Sequence, residues 1–205
     1  MEVNDSDLYK TIKNTSEGDI YKEKGSKFLG YAFPIESLDE VEPILSELKK
    51  SHAKARHWCY AWQLGVETPI YRYNDDGEPG NSAGKPIYGQ IQSFDLTNVL
   101  VVVVRYFGGT KLGVGGLVTA YKMGAKLCLE NAVVVQRMLM TAIDLEFDYA
   151  HMDKVMRIIK EHNLKIKEQK MELNCQFQVL VRRNKAQEIL QLFKNLRCLE
   201  AKISN

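Results

Sequence analysis

This sequence lacks an excess of charge of either sign. Its 28 Lys plus Arg against 26 Asp plus Glu leave a formal net charge of +2 over 205 residues. No global imbalance therefore advertises a nucleic acid or an anionic membrane, and any basic partner site must be local. Long apolar runs are missing as well. The longest, Val99 to Val104, falls far short of the roughly 20 residues of a membrane-spanning helix, so no membrane partner is expected. The four cysteines, Cys59, Cys128, Cys175 and Cys198, stand without the short paired spacings of a zinc site or a thiol redox motif. Buried, reduced thiols and no metal or other cofactor are the expectation. The start, Met1-Glu2-Val3-Asn4-Asp5, is acidic with no apolar stretch behind it, so no secretory signal is expected and the cytoplasm is the predicted location. What is present is 45% apolar, 26% charged and 9% aromatic content. That excludes disorder, collagen and coiled coil, and suffices for one sizeable core or two small ones.

The pattern changes near residue 138 and divides the chain into 1–137 and 138–205. The first part is punctuated by glycine. Ile20 to Lys24 and Lys27 to Ile35 read as two strands across Gly25-Ser26. Ser37 and Glu40 form a capping-box pattern ahead of Leu38, Val41, Leu45 and Leu48, one apolar helical face on which Pro43 demands a kink or a later start. His57 to Leu64 reads as a strand with Trp58, Tyr60 and Trp62 on one face and His57, Cys59 and Ala61 on the other. A polar loop, Asn74 to Asn81, and a short helix, Ser82 to Ile91, follow. Val99 to Val104 is apolar at every position, which predicts a central strand covered on both faces. It leads through a glycine-rich loop into a helix with Leu117, Tyr121, Gly124 and Cys128 on one side. From Leu139 the grammar is regular. A strand carrying Ile143, Leu145, Phe147 and Tyr149, a helix from Met152, strands Leu164 to Gln169 and Leu173 to Val181, a helix around Ile189, and a strand Leu199 to Ile203 give βαββαβ. That is the ferredoxin-like order, so the fold class is α+β with two domains.

Three constellations could carry chemistry. Between Leu96 and Leu129 stand Arg105, Lys111, Lys122 and Lys126 and no Asp or Glu. Within this stretch the strand-to-helix loop offers Gly108, Gly109, Gly113, Gly115 and Gly116, and a helix start presents free amides to an anion. The dinucleotide and P-loop fingerprints both fail: Val118 stands where a third glycine is needed, and Pro86 follows Gly84-Lys85. The glycines equally suit tight turning and close helix packing. Second, Asp75, Asp76 and Glu78 crowd around Gly77, which suits a divalent cation, a general base or simply a self-capping turn. An EF-hand loop is excluded, because Arg72 and Ala83 would fall at ligand positions. Third, His57 and Cys59 share a strand face about 7 Å apart, too far for direct activation of a nucleophile. The Trp58, Tyr60 and Trp62 stripe suits base stacking or core packing. In the second part, outward residues Asp144, Glu146 and Asp148, then Asn174, Gln176 and Gln178, lack the aromatics of an RNA-recognition sheet.

Four ordered blocks carry a resemblance: Ala55-Arg56-His57-Trp58-Cys59-Tyr60-Ala61-Trp62, Asp75-Asp76-Gly77-Glu78-Pro79, Ser82-Ala83-Gly84-Lys85-Pro86, and Arg105-Tyr106-Phe107-Gly108-Gly109-Thr110-Lys111-Leu112-Gly113 with Gly115-Gly116-Leu117. The chain resembles the IMPACT family in its bacterial YigZ-type branch. Asn74, where Ser is more usual, and Asn81-Ser82, in place of Gly-Thr, depart from that pattern in loop detail only. The resemblance implies a first domain like the second domain of a small-subunit ribosomal protein, with a left-handed βαβ unit. It implies a second, ferredoxin-like domain similar to the end domain of elongation factor G. It also implies a link to translation regulation and no settled catalytic reaction.

The leading expectation is a non-enzymatic protein that contacts RNA or the ribosome. Arg56, Lys85, Arg105 and Lys111 would meet phosphates with the glycine-loop amides, beside a motif cleft of His57, Asp75, Asp76, Gly77 and Glu78. The alternatives are an enzyme in which Asp75, Asp76 and Glu78 hold a metal while the glycine loop holds a phosphate ligand, and a regulator that docks a protein partner on the polar sheet face of the second domain. Convergence of His57, Asp75, Lys85 and Arg105 on one cleft would support the site readings together, and scatter would weaken them together.

Overall fold

A computed structural model describes residues 7–204; the acidic start Met1 to Asp5 lies outside the described residues. The chain forms two compact units, Tyr9–Arg137 and residues 138–204, the latter with residues 7–8.

The first unit, with one residue beyond it at each end, contains β1 (Leu8–Ile12), β2 (Ser16–Glu17), β3 (Tyr21–Glu23), β4 (Ser26–Pro34), α1 (Val41–Ser51), β5 (His57–Leu64), β6 (Ile70–Asn74), α2 (Gly84–Ser93), β7 (Val99–Tyr106), α3 (Gly113–Glu130) and β8 (Val134–Met138). Its main sheet has the order β2-β4-β7-β5-β6, with β3 also on β4 and every pairing antiparallel. β1 and β8 form a separate two-stranded ribbon. The β3–β4 hairpin turns on Lys24 and Gly25, both at positive φ, as a tight two-residue hairpin requires. Ser37 and Glu40 form the capping box: Asp39 N donates to Ser37 Oγ at 3.2 Å and Ser37 N to Glu40 Oε1 at 2.7 Å. They cap a 3-10 turn, and α1 starts later, at Val41. Pro43 thereby falls in the first turn, where its missing amide costs no helix bond.

Val99 to Val104 is buried at every position because helices lie on both faces of β7. On one side Leu100, Val102 and Val104 pack with Val41, Leu45 and Leu48 of α1 and with Trp62. On the other, Val99, Val101 and Val103 meet Ile87 and Ile91 of α2 and Leu117, Tyr121 and Cys128 of α3. Trp58 and Tyr60 pack against the α1-side cluster, so the aromatic stripe of β5 serves core packing. α3 lies so close on β4 that a Cβ added at Gly30 would sit 2.0 Å from the Gly124 carbonyl oxygen. Here glycine serves helix packing.

The second unit runs β9 (Met140–Asp148), α4 (Met152–Glu161), β10 (Lys165–Lys170), β11 (Asn174–Arg182), α5 (Ala186–Asn195) and β12 (Leu199–Ile203). The antiparallel order β10-β11-β9-β12 is the topology of a ferredoxin-like βαββαβ unit. Ile143, Leu145, Phe147, Cys175, Phe177, Val179 and Val181 point into one core with Val155, Ile159, Ile189 and Phe193 of the helices. The apolar alternation stops short of the sequence expectation at both strand ends. Tyr149 leaves the sheet in a 3-10 turn capped by the Asp148 side chain, and Leu173 sits in the β10–β11 turn, 91% exposed. Period-two patterning has no means of showing where pairing ends.

Candidate functional site

The polarity of the 75–84 segment resolves into three anchors. Asp75 is a helix cap at a distance: Oδ1 accepts from Ala83 N at 3.0 Å and Gly84 N at 2.8 Å, and Oδ2 from Asn81 N at 2.8 Å. It thereby satisfies amides at the start of α2, whose own N-cap, Ala83, has no side-chain oxygen. Asp76, held at φ 42°, joins the loop to β5. Its Oδ2 accepts from Trp58 N at 2.7 Å and its carbonyl from His57 Nδ1 at 2.8 Å. Only a protonated nitrogen can donate to a carbonyl, so Nδ1 carries a proton and Nε2 is the ring nitrogen that faces Glu78. Gly77 lies against the same imidazole: a Cβ there would be 3.7 Å from Nδ1.

Glu78 reaches into the protein. Its Oε1 accepts from Arg105 Nη1 at 2.5 Å and Tyr121 Oη at 2.7 Å, with His57 Nε2 at 3.8 Å. Both members of the Glu78–Arg105 pair are almost fully buried. Arg105 also stacks its guanidinium over Phe28 and Phe107, each 5.5 Å away. Burial, with Cys59 and Glu78 nearby, pushes the Tyr121 hydroxyl up, so it stays a neutral donor. Burial likewise pushes the Cys59 thiol up, and its Sγ donates to the Asp75 carbonyl. Cys59 is a neutral core group rather than a nucleophile.

His57, Glu78, Arg105 and Tyr121 therefore converge, with Asp75 and Asp76 as scaffold beside them. Lys85 does not join them; it stands exposed in the first turn of α2. The expectation for Arg105 is corrected: a phosphate-facing guanidinium was expected, but a buried carboxylate already neutralises it. Gly108 is corrected too. Its amide donates to Ser26 Oγ at 3.1 Å, and a Cβ there would lie 1.9 Å from the Gly25 carbonyl carbon, so this glycine serves backbone crossing. A metal at Asp75, Asp76 and Glu78 would have to displace the amide, arginine and tyrosine donors that these carboxylates already hold.

Other predicted groups remain open to solvent. Gly109 and Gly113 take positive φ, and a Cβ at either, or at Gly115, would meet nothing within 4 Å. Gly116 sits beside Leu112. The first turn of α3 has no side-chain cap and no acidic residue. Lys111 is exposed just before it, and Arg56 lies 5.2 Å over the Phe107 ring with its charge at the surface. Sequence reasoning missed Lys22, Lys24 and Lys27. The β3–β4 hairpin brings its turn to the glycine loop, since Gly25 abuts Gly108, while Lys27, paired with Tyr106, falls on the α1-side face of the sheet. Lys22 and Lys27 stand directly opposite each other, an arrangement that like charges disfavour. The hairpin turn at Gly25 was legible, but its distant partner was not.

In the second unit the polar sheet face bounds an open groove of about 520 Å³ that includes Asp144, Glu146, Lys170, Gln178 and Lys202. Gln178 Nε2 donates to Asp144 Oδ1 at 2.8 Å. This bond, more than any other influence, holds the Asp144 carboxyl below its ordinary value.

These features define a two-unit α+β protein: one unit sets a glycine-lined helix start at the end of a doubly covered strand, and the other is a βαββαβ sheet. The Impact N-terminal domain matches residues 24–129. The chain is 34% identical over 173 residues to the IMPACT family member YvyE of Bacillus subtilis, covering 84% of this chain and 79% of that one. It is 35% identical over 156 residues to an IMPACT family member of Haemophilus influenzae, covering 74% of each. The crystal structure of a hypothetical protein shares the fold, with a TM-score of 0.73 at 23% identity over 97% of this chain and 98% of that one. This chain belongs to the IMPACT family.

Proposed function

We propose that this protein binds RNA phosphates, on the ribosome or free, through the open start of α3 and the cations around it, and that it acts in translation regulation as its family resemblance implies. One observation carries the reading: Lys111, which makes no ion pair among the described residues, stands exposed directly before a helix start without a cap, and Arg56, likewise without an ion pair, lies over Phe107 of the loop that leads to it. Uncompensated like charge next to free amides is stabilised by a polyanion. The buried Arg105–Glu78 pair then has a structural role, tying the acidic loop to the end of β7, next to Phe107 and the Arg56 side chain that lies over its ring.

The test is the salt dependence of binding to a single-stranded RNA oligomer. The log–log slope should be about −0.7 for each phosphate contacted. Arg56→Ala and Lys111→Ala should each make it shallower by about that amount. A flat response, or variants with the parent slope, overturns the reading.

A further inference from the structure

On the other side of the acidic loop, a run of aromatic rings lies partly open to solvent. β6 is an edge strand with β5 as its one partner, and Tyr71 and Tyr73 alternate to the same face of it. Tyr88 of α2 meets both. Its ring stacks on Tyr71 at 4.4 Å and 13° and lies 6.3 Å from Tyr73 at 28°. Two hydrogen bonds fix the inner rings: Tyr88 Oη donates to Gln63 Oε1 at 3.0 Å, and Tyr73 Oη to Asn81 Oδ1 at 3.4 Å. Tyr71 is the outer ring. With Tyr88 on one of its faces, it remains 55% exposed.

The two elements that carry these rings hold charge of one sign. Neither β6 nor α2 contains a carboxylate, and together they carry Arg72 and Lys85. Lys85 precedes Tyr88 by three residues, so the two share a helix surface. Neither Arg72 nor Lys85 forms an ion pair among the described residues.

We infer that the Tyr71–Tyr88–Tyr73 run is a stacking platform for an unpaired RNA base, with Lys85 placed for the adjoining phosphate. A flat, fixed aromatic face beside an uncompensated cation matches the two parts of a nucleotide in a single strand, and a base on Tyr71 would extend a stack that already exists. The platform rests on the phosphate-binding reading above and deepens it: the α3 rim holds backbone, and this face selects unstacked over duplex RNA. Lys85, which does not converge with the buried cluster, thereby gains a role of its own.

The test compares the full-length parent with Tyr71→Leu and Tyr71→Phe against three probes: a ten-residue oligouridylate, an abasic ribose-phosphate oligomer of equal length, and an RNA duplex. Circular dichroism checks that the variants fold. Tyr71→Leu should bind the oligouridylate about tenfold more weakly. It should bind the abasic oligomer and the duplex as the parent does, and Tyr71→Phe should match the parent throughout. If Tyr71→Leu binds the oligouridylate like the parent while the salt slope persists, the platform fails and the phosphate reading stands. If the parent binds none of the probes, both fail. Ribosome binding that survives nuclease stripping and is lost in Tyr71→Leu would assign this face to a protein partner and overturn the proposal.

Discussion

In the first unit β7 has helices on both faces and is apolar at every buried position; in the second, β9 and β11 have helices on one face and alternate. The difference shows in how each unit handles polar groups. The doubly covered sheet leaves no dry place for a charge unless a partner comes with it, and Arg105, at the end of the apolar run, is buried against Glu78 and Tyr121. The singly covered sheet exposes its polar residues to water. Asn174 donates to Glu146 and Gln178 to Asp144 across the open face.

The sharpest way to break this comparison is to remove a carboxylate from each unit. Glu78→Ala strands a buried guanidinium and should cost about 3–5 kcal/mol in urea unfolding. Adding Arg105→Met should recover part of that loss. Glu146→Ala, on the open face, should stay within about 0.5 kcal/mol of the parent. Equal costs would mean that the Arg105–Glu78 pair is hydrated and that the two units do not differ in this respect.

Much of the fold was readable because local pattern and final burial agree. The Ser37–Glu40 box, the all-apolar β7 and the alternating β9 and β11 each encode their environment in neighbouring residues. β6 was missed because Ile70 to Asn74 lies on an exposed edge, where no burial imposes a pattern. The same blindness hid the tyrosine run, whose members come from β6 and α2. The candidate site was legible as a set of residues but not as a set of roles. Nothing local to Arg105 tells that Glu78, 27 positions earlier, neutralises it. The turn reading of Asp75 and Asp76 was available from the chemistry of Asx side chains, whereas their grip on Gly84 and Trp58 depends on chain that returns from elsewhere.

A second contrast concerns hydrocarbon. Leu100, fully buried in β7, and Leu173, in the β10–β11 turn, are the same residue type at opposite extremes of exposure. Leu100→Ala should cost about 2–5 kcal/mol, and Leu173→Ala should remain within about 0.5 kcal/mol, by the same unfolding assay. A large effect at Leu173 would show that its exposed turn is covered in solution.

The smallest expected effect belongs to the open face. Hydrogen bonds hold the Asp144 carboxyl below its ordinary value, first from Gln178 and next from Ser204. Its ionised form therefore adds stability above the ordinary carboxylate range, and that contribution fades as pH falls through the depressed folded value. Carboxyl NMR titration should show the Asp144 midpoint moving up towards the ordinary carboxylate value in Gln178→Ala. An unmoved midpoint would mean that the bond is not populated in water.

Between Asn74 and Gly84 the chain has no slack. Asp75 grips amides up to nine positions onward, Asp76 is tied back to β5, and Glu78 is plugged into the interior. A deletion there would slide the plug out of its socket, and an insertion would part the helix from its distant cap. The segment thus acts as a fixed-length spacer. A reporter peptide belongs instead between Thr68 and Pro69, in the exposed β5–β6 connection, where added length leaves those fastenings alone.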